Sequence, residues 1–336
     1  MAPPFPPLAL TMGEPAGVGG ELTIKAYAAR DASKLPPFFV IDDPARLLAI
    51  ASDLKLDVPI RPIGSAKEAE TAFSEGLPVL DVGLKTKATL GSPSPNSAKA
   101  VLGSIDRAVK LALAGEASGI VTNPIQKSSL YDSGFQFQGH TDYIAHLCPG
   151  SPLPVMTLAS ETLRVVPVTH HIPLSGVADA LSTDLIVETG RIIAAGLKND
   201  FGVAMPRLAV AGLNPHAGED AKIGTEERDI IAPAIETLRA EGISVSGAHA
   251  ADTMFYETAR KKFDVALCMY HDQALIPIKT LAFDSAVNVT LGLPLVRTSP
   301  DHGTALKIAG KDVASPAGLI AAILMAGEMA TRRAAV

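Results

Sequence analysis

The sequence predicts an α/β fold in two lobes, built on a mainly parallel sheet with a mixed portion in the middle of the chain. Three observations predict it. The chain has 336 residues, 47% of them hydrophobic, enough to bury a sizeable core and long enough for two lobes. Short apolar runs alternate with amphipathic stretches throughout. Aromatic residues make up only 4% and Trp is absent, while Ala, Gly, Val and Leu dominate, which suits an α/β enzyme better than a β-sandwich.

Taken in order, residues 8–11 read as a short buried strand, 13–20 as a Gly/Pro loop and 21–30 as a helix. A second strand at 38–41 leads to a helix at 44–53, and a third strand follows at 78–81. Residues 84–96 form a turn-rich connection, after which Ser97 is expected to cap an amphipathic helix reaching about Ala114. The next strand, 119–122, ends at Asn123-Pro124. Strand–helix alternation of this kind implies parallel strands with helices on both faces. Residues 154–158 and 163–168 instead resemble a hairpin, so the sheet is expected to turn antiparallel there. Beyond it come a helix at 183–198, a strand at 207–211, a helix at 226–241 and a strand at 264–269. A helix follows Tyr270, then a strand at 286–290, a Gly/Pro-rich run at 292–303 and a closing Ala-rich helix at about 316–332.

The net charge is −6 and no Lys/Arg stripe is present, which argues against nucleic acid as a partner; an anionic ligand must be held by a few local cations. Cys148 and Cys268 are too few for a zinc ribbon and are expected as reduced thiols. The Pro-rich start, Met1 to Pro7, lacks the basic and apolar regions of a signal peptide, and no apolar run is long enough to span a bilayer. A cytoplasmic location, with no membrane association, is the expectation.

Three apolar runs end in histidine: Val165 to His170-His171, Leu208 to His216, and Val265 to His271. Ligands of open α/β sheets bind at the carboxyl ends of strands. Three imidazoles arriving there suit a divalent metal with an open position. Each alone reads equally as a strand-end residue bonded to a carbonyl, and His170 competes with His171 within its pair. Gly139-His140-Thr141-Asp142 lies in a turn-rich stretch. Lys279, Asn288 and Arg297 follow His271 within one βαβ-sized span, and cations beside a metal suit phosphate or carboxylate.

The loop Thr11-Met12-Gly13-Glu14-Pro15-Ala16-Gly17-Val18-Gly19-Gly20 has too irregular a glycine spacing for a dinucleotide fingerprint, and Pro15 interrupts it. It reads either as an anion-binding approach to a helix N-terminus or as an ordinary tight turn. A second Gly-marked loop spans Asp301 to Gly310.

Together these strings resemble the 4-hydroxythreonine-4-phosphate dehydrogenases, the PdxA family of vitamin B6 (pyridoxine) biosynthesis. The resemblance is carried in family order by Gly13-Glu14-Pro15-Ala16-Gly17, Gly139-His140-Thr141-Asp142, the run Gly212-Leu213-Asn214-Pro215-His216-Ala217-Gly218-Glu219, and Met269-Tyr270-His271-Asp272-Gln273. Asn288 to Pro294 and Arg297 to Ala305 complete it. It implies His171, His216 and His271 as ligands of one divalent metal (zinc, magnesium or cobalt), with His171 favoured over His170 because it precedes the Ile172-Pro173-Leu174 run. It implies substrate contacts from His140, Thr141, Lys279, Asn288 and Arg297, and a homodimer whose shared active site takes a ligand from each chain.

The family is similar in fold to isocitrate and isopropylmalate dehydrogenases. That similarity implies that His302, Gly303 and Thr304 cradle NAD(P) and that the active site lies in an interlobe cleft. It implies a dinucleotide lobe of residues 1–125 with 270–336, and a dimerisation and metal/substrate lobe of residues 126–269. Small departures from the family pattern occur at Glu14, Gly20 and Asp142, and His170 is an additional imidazole.

The implied reaction is NAD(P)-dependent oxidation of 4-phosphooxy-L-threonine and decarboxylation to 3-amino-2-oxopropyl phosphate. Lys279, Asp252 and a metal-bound water remain candidates for the general base. Three other readings stay open. One is a paralogous dehydrogenase for a sugar-acid phosphate such as threonate or erythronate 4-phosphate. The second is a metal-dependent phospho-ligand enzyme without redox chemistry. The third is a non-catalytic ligand-binding regulator.

Overall fold

The structure, a computed structural model, describes residues 5–83 and 88–335. Residues 84–87 of the expected 84–96 connection, residues 1–4 of the Pro-rich start and residue 336 lie outside the described residues. The chain divides into two compact units, one running up to Pro154 and resuming at Leu293, the other spanning Val155–Gly292.

The strands of the first unit are β1 (Leu8–Thr11), β2 (Phe38–Asp42), β3 (Ile60–Ile63), β4 (Leu77–Asp81), β5 (Ile120–Val121) and, after the second unit, β12 (Arg297–Pro300). They lie in the order β3-β4-β2-β1-β5-β12, and every pairing is parallel. β1, β2 and β12 are buried along their whole length, as expected for parallel strands covered on both faces. The helix Ala98–Leu113 turns Val101, Ile105, Ala108 and Val109 inward, at the spacing of one helical face. Its Ser104 hydroxyl donates to the Ile41 carbonyl (2.7 Å) and accepts from Met12 N–H (3.0 Å), which pins the loop leaving β1. Ser97 does not cap this helix. Pro95 presets helical geometry two residues earlier, so Ser97 already has φ −84° and ψ −15°, and Ser94 accepts from Asn96 N–H instead.

The second unit contains β6 (Val155–Ala159), β7 (Arg164–Thr169), β8 (Arg207–Ala211), β9 (Ser244–His249), β10 (Val265–Tyr270) and β11 (Val287–Leu291), in the order β11-β6-β7-β10-β8-β9. The β6–β7 hairpin and the β11–β6 pair are antiparallel; β7, β10, β8 and β9 run parallel. The mixed portion therefore falls where the sequence placed it. Leu158, Val165, Ala209, Ala266, Cys268 and Ile278 form the core of this unit.

The two junctions differ from the expected 125/126 and 269/270. β11 returns to pair with β6, so residues 270–292 stay with the second unit. The helix His140–Leu147 buries Ile144 and Ala145 beside Ile105, Val109 and Ile120, so residues 126–154 stay with the first. Cys148 and Cys268 are free and buried. Among the described residues no helix is long and apolar enough to cross a membrane.

Candidate active site

In the second unit, strand order brings the histidines together. β7, β10 and β8 are neighbours and parallel, so their carboxyl ends emerge side by side. Thr169, the last residue of β7, pairs with Tyr270, the last of β10, and the Thr169 hydroxyl donates to the Met269 carbonyl at 2.8 Å. The residues that follow are His170-His171 and His271. The His171 and His271 rings are 6.0 Å apart, centre to centre, and the His170 ring stands 5.0 Å from that of His171. A cavity of about 280 Å³ opens among Thr169, His170, His171, Tyr270, His271 and Asp272. Asp272 holds Nδ1 of His271 at 2.7 Å, which leaves Nε2 available.

His216 follows the neighbouring β8, but its side chain is 69% exposed and its Nδ1 lies 4.0 Å from Glu219. Among the described residues no three His, Cys, Asp or Glu side chains gather closely enough to hold a metal. The chain alone thus pairs two of the three expected imidazoles and leaves the third facing outward. The donor set suits a divalent metal in chemistry: imidazoles at adjacent strand ends, with a carboxylate behind one of them.

The other expected residues of this unit are placed as follows. Lys279 is half-buried, two turns along the helix His271–Ala282. Asn288 is half-buried in β11, opposite Leu158. Asp252 is exposed in the turn Ala251–Thr253 after β9.

In the first unit the site is built inside the fold. Arg297 begins β12 and is 3% exposed, and its Nη2 donates to Thr122 Oγ1 at 2.9 Å. Burial pushes its guanidinium down to about 10, which still leaves it charged at neutral pH. His140 and Thr141 open the helix His140–Leu147. Burial holds the His140 imidazole well below its ordinary range, and the positive charges of Arg297 and Lys127 push it further. Its Nε2 is shielded from solvent and has no hydrogen-bond partner among the described residues. A buried polar atom left open between two cations fits an anion such as phosphate.

The glycine loop resolves to the tight turn. Residues 12–20 are all buried, and Val18 N–H donates to the Thr304 carbonyl at 3.1 Å. A β-carbon at Gly17 would lie 2.6 Å from that same oxygen, so the space that a pyrophosphate would need is filled by the chain itself. The second loop differs. His302 and Gly303 are exposed, nothing crowds Gly303, and Thr304 is tethered through its hydroxyl to Gln126 Oε1 at 3.0 Å. Open, tethered backbone of this kind fits a dinucleotide.

Sequence reasoning missed Thr122 and Lys127. Thr122 directly follows β5, and its N–H donates to the carbonyl of Thr298, the residue after Arg297. Lys127 stands in no recognisable motif, and only the fold brings it to His140.

Comparison with known proteins identifies the family. The family model described as pyridoxal phosphate biosynthetic protein PdxA matches residues 34–326. A 4-hydroxythreonine-4-phosphate dehydrogenase of Erythrobacter litoralis is 52% identical over 336 residues, covering 99% of both chains. That of Bradyrhizobium diazoefficiens is 52% identical and covers 97% of this chain and 98% of its own. The crystal structure of the Klebsiella pneumoniae 4-hydroxythreonine-4-phosphate dehydrogenase superposes with a TM-score of 0.87 at 34% identity, covering 97% of this chain and 98% of that one. The family model spans most of the chain and such relatives span nearly all of it: the chain belongs to the PdxA family of pyridoxal phosphate biosynthetic proteins.

Proposed function

We propose that this chain is a metal-dependent NAD(P) dehydrogenase that oxidises 4-phosphooxy-L-threonine and releases CO2 and 3-amino-2-oxopropyl phosphate, for pyridoxal phosphate biosynthesis. The dehydrogenase part rests on the family; the metal part rests on one observation, the 6.0 Å pairing of His171 and His271 at adjacent strand ends. When bound, a divalent metal polarises the substrate's hydroxyl and then carbonyl oxygen, and nicotinamide accepts the hydride.

The chain's own residues divide the remaining work. His171 and His271 hold the metal through ring nitrogens, and Asp272 fixes the tautomer of His271. His216 faces outward and completes the set across a homodimer, where a second copy supplies the missing imidazole. Arg297 and His140 bind the substrate's anionic ends, with Thr141 donating a hydroxyl beside them. Asn288 and Lys279 are further substrate contacts, and His302, Gly303 and Thr304 hold the dinucleotide. Lys279 or Asp252 takes the hydroxyl proton; Lys279→Met and Asp252→Asn, compared by the pH profile of kcat, identify which. The modest net charge of −6 suits a small-molecule substrate, and we place the chain in the cytoplasm.

Purified protein, mixed with a panel of phosphorylated hydroxy acids and either NAD+ or NADP+, tests the reading. Growth of the NADH or NADPH band with 4-phosphooxy-L-threonine, abolished by chelator and restored by zinc, cobalt or magnesium, is the expected result. Turnover confined to threonate or erythronate 4-phosphate would instead assign a paralogous role. Turnover untouched by chelator would remove the metal.

A further inference from the structure

His216 sits in unusual backbone. After β8 the chain passes through His216 (φ 55°), Ala217 (φ 53°), Gly218 (φ 82°), Glu219 (φ 44°), Asp220 (φ 53°) and Ala221 (φ 64°). Five of these six left-handed residues carry a β-carbon, which that conformation crowds against the backbone. Such a segment persists only where something outside it holds it in place.

Glu227 and Gln273 do so from the body of the second unit, and Glu226 Oε2 adds a bond from Asn214 Nδ2 at 2.7 Å. Glu227 lies in a π-helical turn, Glu227–Ile231, where the inserted residue reshapes the helix start. It is 8% exposed, and its carboxylate faces the loop rather than solvent. Oε1 accepts from Asn214 N–H at 2.7 Å and Oε2 from Asn214 Nδ2 at 2.9 Å. A β-carbon at Gly218 would lie 2.6 Å from Oε2, so the left-handed glycine lets the loop close onto the carboxylate. Gln273 holds the root of the loop: its Nε2 donates to the Gly212 carbonyl at 2.7 Å, and its Oε1 accepts from Met269 N–H, also at 2.7 Å. Gln273 belongs to the helix that begins with His271, so one amide ties the His216 loop to the strand end that presents His271.

We infer that Glu227, acting through Asn214, is the positioning residue for His216, with Gln273 setting the distance of the loop root from the His271 segment. This rests on the reading of His216 as a metal ligand given above. Glu227 touches neither metal nor substrate; it fixes the strained loop in the conformation that leaves the His216 side chain 69% exposed. Relaxed to ordinary backbone, the loop would point His216 elsewhere, and the metal would keep two ligands of three.

The test uses full-length protein stripped of metal, with zinc titrated in by calorimetry and cobalt followed by its visible ligand-field spectrum. Glu227→Gln keeps the volume but presents an amide donor to the donor Nδ2 of Asn214. Asn214→Ala removes the Nδ2 bonds to Glu227 and Glu226 without touching the helix, leaving only the backbone N–H bond to Glu227 Oε1, and so decides the matter if Glu227→Gln does not fold. Both are expected to weaken zinc about tenfold to a hundredfold, the range for residues that orient metal ligands. They should also alter the cobalt spectrum, leave the melting of the metal-free protein within a few degrees of the parent, and regain kcat at saturating zinc. His216→Ala is the control. If it leaves zinc affinity unchanged, the ligand assignment itself fails. If it weakens zinc while both clamp variants fold and bind zinc like the parent, with the parent's cobalt spectrum, the ligand stands and the clamp is overturned.

Discussion

The two units build their functional groups in opposite ways. In the first, Arg297 is 3% exposed, the glycine loop is buried and His140 Nε2 is sealed from solvent, so the groups proposed for the anion are set into the fold. In the second, the side chains of His271 and His216 are 39% and 69% exposed, and the residues around them are held from behind by Asp272, Gln273 and Glu227. A cation for an anionic substrate gains strength from burial because little water competes. An imidazole meant for a metal must instead stay open, and its orientation has to come from hydrogen bonds at its back. Lesions in the first unit should therefore disturb stability and substrate binding together. Lesions in the second should remove activity while sparing the fold.

The sharpest break in that contrast comes from His271→Ala. Losing a metal ligand is expected to lower kcat/KM about a thousandfold, since the metal supplies several kcal/mol of charge stabilisation. The metal-free protein should melt within a few degrees of the parent, because the ring is partly solvated. Calorimetric zinc binding and a thermal melt measure both halves, and a large fall in melting temperature would contradict the contrast.

Arg297→Met should act the other way. A charge-assisted bond to an anion is worth roughly 1.5–3 kcal/mol, so KM for the phosphorylated substrate should rise about tenfold to a hundredfold while zinc affinity stays unchanged. Because burial lowers the guanidinium to about 10, substrate affinity of the parent should also fall as pH is raised through that value. The sign for stability is opposite. The folded chain gives up this proton more readily than the unfolded one, so the penalty for burying the charge fades as pH rises above about 10.

His140 sharpens the same point at lower pH. Unfolded, it takes a proton near pH 6.5; folded, it does so only well below that. Protons thus favour the unfolded chain as pH falls through this window, so its contribution to stability is complete above about 6.5 and lost below. A phosphate bound beside it raises its affinity for a proton. Its ring resonance, followed by NMR, should titrate below the ordinary range in free protein and move up when inorganic phosphate is added. A resonance that ignores phosphate would take His140 out of the anion site.

Much of this arrangement was legible in the sequence, and the exceptions have physical causes. The hairpin β6–β7 and the apolar strands β1, β2, β8 and β10 announce themselves through buried hydrophobic runs. β12 does not. Its residues Arg297-Thr298-Ser299-Pro300 look like a loop, yet all four are buried, because a functional strand spends its side chains on polar contacts rather than on packing. β3 is hidden by Pro62, tolerated there because β3 lies at a sheet edge. The histidines at strand ends were readable one at a time. That β10 lies between β7 and β8 was not, since strand order depends on the crossovers and not on any local pattern. The glycine loop left two readings open because its packing partner, Thr304, is nearly three hundred residues away.

Gly17→Ala turns that distant contact into a lesion of the first unit. The new methyl would sit 2.6 Å from the Thr304 carbonyl oxygen and 3.2 Å from its β-carbon, so backbone must shift. Overpacking of this kind costs about 1–3 kcal/mol. The loop that moves carries His302, Gly303 and Thr304. Melting temperature should drop and KM for the dinucleotide should rise severalfold, with zinc affinity intact. An unchanged dinucleotide KM beside a lowered melting point would separate this loop from cofactor binding.

The smallest expected effect belongs to Asp272→Asn. Its side chain is 68% exposed, so solvent weakens its pull on His271, and asparagine still offers an oxygen at the same place. What changes is the charge behind the ring. A carboxylate makes the imidazole a better donor to a metal; a neutral amide oxygen accepts the same N–H without that push. Zinc affinity should fall only about threefold, below the usual range for such partners because this one is largely solvated. Adding salt should shrink the difference between variant and parent, since salt screens an exposed charge but not a buried one. A loss as large as that of His271→Ala would mean that Asp272 binds the metal itself, and the second unit would then hold three donors without any contribution from His216.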